Sequence, residues 1–71
     1  MSISDLRGII RDGGNVVIDA KILSSSDFRG MVRDSKKSGS HITLKNPEEF
    51  SVSDLRGAVR DGKNNLTIEF A

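Results

Sequence analysis

The chain has 71 residues, no cysteine, one histidine and a formal net charge of +1, from 11 Lys and Arg against 10 Asp and Glu. Disulfides and thiolate metal sites are excluded, His41 cannot build a zinc site alone, and the balanced charge does not describe a polycation that grips nucleic acid wholesale. Such a length makes one small domain that buries only about 60% of its unfolded surface, so association with another chain is the expected support.

The first element is a predicted helix. Residues 1–12 read M-S-I-S-D-L-R-G-I-I-R-D. Ser2 stands at the N-cap and Asp5 three residues later, a capping box with Asp in place of Glu, and the acid also meets the positive end of the helix dipole. Met1 and Leu6 have the spacing of a hydrophobic staple, and Gly13 follows as a C-terminal cap. At about 100° per residue, Ile3, Leu6, Ile9 and Ile10 share one arc. Arg7 and Arg11 lie on one flank of that arc, and Asp5, Gly8 and Asp12 on the other. The alternating segment N-V-V-I-D-A at 15–20 then predicts a strand with Val16 and Ile18 on one face.

The same signals recur twice. Residues 23–34 read L-S-S-S-D-F-R-G-M-V-R-D and residues 50–61 read F-S-V-S-D-L-R-G-A-V-R-D, at spacings of 22 and 27 residues. Seven of the twelve positions are identical in all three blocks. Ser24 and Ser51 are the caps, Asp27 and Asp54 the acids three residues on, and Leu23–Phe28 and Phe50–Leu55 the staple pairs. Arg29 and Arg33 oppose Asp27, Gly30 and Asp34; Arg56 and Arg60 oppose Asp54, Gly57 and Asp61. The second helix is expected to leave through a solvated loop, Ser35–Ser40, carrying Lys36 and Lys37, and the third to end at Gly62. Strands are expected at 41–46 and 65–70, with Ile42 and Leu44, then Leu66, Ile68 and Phe70, facing inward, and Pro47 ending the second.

A helix–strand unit repeated in one order places its strands parallel. The expected fold is therefore α/β: three tandem helix–strand repeats, 1–22, 23–49 and 50–71, forming a small parallel sheet with helices on one face. This is a miniature α/β solenoid in a single domain, 1–71. In such a row the Arg flank of one helix meets the Asp/Gly flank of the next, which predicts ion pairs between repeats. Glycine inside a helix costs up to about 1 kcal/mol relative to alanine, so its return at one position implies a steric reason: close helix approach, or room for an arginine stem. The short period and the L-x-I strand of Leu66 to Ile68 resemble leucine-rich repeats, although the L-x-x-L-x-L-x-x-N pattern is not reproduced. The S-D-L-R-G-x-V-R-D block is similar to repeats of small bacterial proteins. The resemblance to leucine-rich repeats implies a protein-binding scaffold.

The six repeated arginines, Arg7, Arg11, Arg29, Arg33, Arg56 and Arg60, are the first candidate binding and assembly residues, with Lys36 and Lys37 the second. Stacked in one direction they could hold phosphates, because arginine presents a planar fork of donors. Paired with acids of the same period, they serve the stack instead. Asp5, Gly8, Asp12, Asp27, Gly30, Asp34, Asp54, Gly57 and Asp61 are read as structural positions of the repeat. The Ser35–Ser40 segment lacks the order of a phosphate-binding loop. No nucleophile stands with a base and a third partner, so no catalytic residue, cofactor or metal is expected. Phenylalanine is the only aromatic, which argues against base-stacking platforms. No apolar run has the length of a membrane span, and Met1 enters the first block without a leader-like segment, so a cytoplasmic protein is expected. The expected function is a non-enzymatic protein-interaction module that forms homo-oligomers through sheet edges or stack ends, with another protein as a possible partner. Nucleic-acid or phosphate binding through the arginine ladder is the alternative.

Overall fold

The computed structural model describes residues 1–70. Three helices alternate with three strands: α1 (Ile3–Arg11), β1 (Val16–Asp19), α2 (Ser25–Ser38), β2 (Ile42–Lys45), α3 (Val52–Gly62) and β3 (Leu66–Glu69). Single turns of 3-10 helix cover Ala20–Ile22, Pro47–Glu49 and Lys63–Asn65. None of the helices is long and apolar enough to cross a membrane.

Each helix starts where a serine satisfies an otherwise unpaired amide. The hydroxyls of Ser2, Ser24 and Ser51 accept from the backbone N–H of Asp5, Asp27 and Asp54, each at 3.1 Å. The reciprocal bond of the capping box is made at α1, where the Ser2 amide donates to Asp5 Oδ2 at 3.2 Å. Gly13, at φ +92°, adopts the left-handed turn that ends α1.

The sheet is parallel in the order β1–β2–β3. Its register aligns Val16 with Ile42 and Leu66, Val17 with Thr43 and Thr67, Ile18 with Leu44 and Ile68, and Asp19 with Lys45 and Glu69. Alternation places Val16, Ile18 and their partners on one face. The helices cover that face: Ile18, Ile42 and Leu44 are buried with Ile10, Phe28, Met31, Val32 and Ala58. Val17 and Thr67 on the opposite face are exposed. The Phe28 and Phe50 rings stack with centroids 5.4 Å apart, which ties the entry of α3 to the middle of the core. Helix α2 packs between α1 and α3.

The structure corrects four local expectations. The Ser35–Ser40 segment is not a loop: α2 runs to Ser38 and turns at Gly39, φ +84°. Lysine propagates a helix well and nothing before Gly39 breaks it, while Ser35, fully buried, returns its hydroxyl to Val32 O at 2.7 Å. Gly62 is not the left-handed cap of α3 but its last helical residue, and Lys63 takes the positive φ of 46°. A Cβ on Gly62 would lie 2.7 Å from Val32 Cγ1, so glycine serves packing there. Met1 is 87% exposed, so it buries little of the surface that the expected staple to Leu6 would cover. The strands occupy four residues each, and Phe70 falls beyond β3 and is largely exposed.

Candidate functional site

The repeated arginines, glycines and aspartates meet between neighbouring helices. Arg7 Nε donates to Asp34 Oδ2 at 2.9 Å, and Arg11 Nε lies 3.3 Å from the same oxygen. One block further, Arg29 Nη2 donates to Asp61 Oδ2 at 3.2 Å, with Arg33 Nε 3.8 Å away. Two arginines of one helix thus converge on one aspartate of the next.

Glycine makes the approach possible. A Cβ on Gly30 would stand 3.0 Å from Arg7 Nη2, and a Cβ on Gly57 would stand 2.8 Å from Arg29 Cζ. The guanidinium therefore lies flat across the neighbouring helix at its glycine and reaches the aspartate one turn on. This is the steric reason for glycine at a costly position: room for the guanidinium itself. Arg29 Nε is buried and has no partner among the described residues, so this second pair is less completely hydrogen-bonded than the first.

The Asp34 side chain is only 14% exposed. Its burial opposes ionisation, but the hydrogen bond from Arg7, with the charges of Arg7, Arg11 and Lys37, outweighs that and holds the carboxyl below its ordinary value. Asp19 is also held low, first by the Lys21 amide and then by Asn46, and its Oδ1 accepts from Lys21 N at 2.8 Å. Across the sheet, Lys45 Nζ lies 3.9 Å from Glu69 Oε1.

The remaining candidates occupy other places. Asp5, Asp27 and Asp54 sit in the first turns beside the capping serines and join no ion pair among the described residues. Lys36 and Lys37 are exposed in the last turn of α2, around a shallow hollow that also includes Arg33 and Asp61. His41, just before β2, bonds Thr67 Oγ1 through Nε2 at 2.7 Å, and its amide donates to Asn15 Oδ1 at 2.8 Å. Asn65 Nδ2 likewise donates to Ser40 O at 2.9 Å. The asparagine before β1 and before β3 was the sequence signal for these clasps. Among the described residues, no three His, Asp or Glu side chains gather as a metal site.

The two ends of the helix row break the pattern. Arg56 and Arg60 correspond to the paired arginines of α1 and α2, but no acid meets them among the described residues, and both are exposed. Gly8 corresponds to Gly30 and Gly57, yet nothing lies within 4 Å of its Cβ position, and Asp12 beside it is exposed. Apolar residues follow the same rule. Val59 is 44% exposed although its counterparts Ile10 and Val32 are fully buried. Ile9 is 38% exposed although its counterparts Met31 and Ala58 are fully buried. At the α3 end, Val52, Leu55, Val59, Ile68 and Phe70 line an apolar groove together with Arg56 and Arg60. Val59 holds the position of Ile10 and Val32 in its own block, and no further α-helix follows α3 among the described residues to cover it. No known family, curated protein or solved structure matches the chain.

Proposed function

We propose that this chain is a non-enzymatic protein-interaction module that associates with copies of itself. In this reading its three helix–strand repeats form a short α/β solenoid resembling leucine-rich repeats. One observation carries the proposal: side chains that neighbouring helices bury in the interior of the row are exposed at its two ends, Val59 at one and Ile9 at the other. Exposed apolar surface joined to open sheet edges favours another polypeptide over a small polar ligand. Four of the six repeated arginines already have aspartate partners, which reduces the charge they offer a polyanion. Sedimentation velocity from about 1 to 100 μM tests the proposal, because association at micromolar Kd changes the oligomer distribution across that range. A single monomeric species throughout would overturn it.

Phosphate or nucleic-acid binding is the second reading, and the hollow shared by Arg33, Lys36 and Lys37 favours it. Asp61 stands in the same hollow and opposes an anion. The reading expects binding of a labelled oligonucleotide that weakens steeply with salt. Unchanged fluorescence anisotropy at about 20 mM salt, below the screening of physiological ionic strength, would exclude it.

A further inference from the structure

Taking self-association as its premise, we infer that copies join head to tail, the α3–β3 end of one accepting the α1–β1 end of the next. The occupant of the apolar groove is thus a second copy of this chain. The argument rests on the two contacts repeated inside the molecule. The helix α1 presents Arg7 to Gly30 and Asp34; α2 presents Arg29 to Gly57 and Asp61. By the same spacing α3 presents Arg56 to the Gly8 and Asp12 of the next copy, with Arg60 reaching the same aspartate. The α3 end holds two cations that meet no acid among the described residues, and the α1 end holds an acid beside a glycine whose Cβ space is empty. Each end has what the other lacks.

The apolar and backbone groups agree. Val59 moves into the environment that buries Ile10 and Val32, and Ile9 into the one that buries Met31 and Ala58. The free edges of β3 and β1 continue the parallel ladder, with Leu66 beside Val16 and Ile68 beside Ile18. One row opposes the seam: Glu69 comes beside Asp19, where inside the molecule Lys45 separates them. The contact joins two different surfaces, so it propagates into a chain of copies or closes into a ring.

End-blocking variants provide the test, by sedimentation velocity. R56E/R60E loses its accepting end and keeps its entering end; D12K does the reverse. Each alone is expected to be monomeric where wild type associates, with association about tenfold weaker or more. Mixed, the two are expected to form a 1:1 dimer that grows no further, because each supplies one intact end. G8A supplies a second arm that does not depend on introduced charge. Its Cβ fills the space reserved for Arg56, so it raises the melting temperature of the dilute chain while weakening association. Wild type that stays monomeric overturns self-association altogether. Wild type that associates, with R56E/R60E, D12K and G8A associating equally well, leaves self-association standing and overturns the head-to-tail arrangement. Two monomeric variants that do not dimerise when mixed overturn it as well.

Discussion

Glycines at equivalent helix positions answer substitution differently because different atoms stand over them. G8A gains the usual helical advantage of alanine, about 1 kcal/mol, because its Cβ meets nothing. In G30A and G57A the same gain is offset by displacing Arg7 or Arg29 and weakening a part-exposed ion pair, about 0.5–1 kcal/mol. Urea denaturation of dilute protein should therefore rank G8A above both, which should fall within about 0.5 kcal/mol of wild type. Asp34 carries a pH signature. Its folded carboxyl is held below the ordinary value of 3.8, so its contribution is present above that pH and is lost as pH falls through the lower folded value. D34N should cost about 1 kcal/mol at pH 7. The gap between D34N and wild type should narrow below pH 3.8, as measured by unfolding midpoints against pH.

At the scale of elements, what ends a helix decides how the next strand is delivered. Helix α2 is the longest, 14 residues against 9 and 11, because its Lys-Lys exit continues the helix until Gly39 turns it. The Gly39 φ of +84° is left-handed and nothing crowds its Cβ position, so G39A should cost about 1–2 kcal/mol through backbone strain alone. G39N should recover part of this, because asparagine tolerates that conformation. Gly62 presents the opposite case. Its φ of −93° suits any residue, but a Cβ would meet the fully buried Val32. G62A should therefore cost about 1–3 kcal/mol by overpacking, and G62N should recover nothing. Chemical denaturation of the four variants separates the two causes. Both glycines follow a helix-like run in the sequence, and only the atoms packed against them distinguish a conformational requirement from a steric one.

For the whole molecule, a 71-residue domain has about 4–10 kcal/mol of stability to lose. Phe28 is fully buried, stacked on Phe50 and central to the core, and F28A should remove about 3–5 kcal/mol of that, which circular dichroism melting would show as loss of a folded baseline near 37 °C. Association couples to stability by mass action. If the exposed ends meet, the wild-type melting temperature rises with protein concentration, and that of R56E/R60E does not. Continued addition of copies would also bend the assembly. Helices pack about 8–10 Å apart and strands about 4.8 Å, so each added unit widens the helix side and turns the sheet inward. Small-angle scattering of the assembled protein should fit a curved particle better than a straight rod.

The sequence by itself determined the elements and their direction. The cap serines, the period-two segments and the threefold order of helix then strand required three helices and a parallel three-stranded sheet, because capping, alternation and chain direction are local or topological properties. It also placed arginines and aspartates on opposite helix flanks, since that follows from 100° per residue. Only the tertiary structure decided which flank charges meet: Asp34 and Asp61 hold the arginines, whereas Asp27 and Asp54 remain at their caps. It likewise decided the end of α2, the role of Gly62, and the exposure of Val59 beside its buried counterparts. Burial and pairing depend on what lies alongside a residue, and similar blocks acquire different neighbours according to their place in the row.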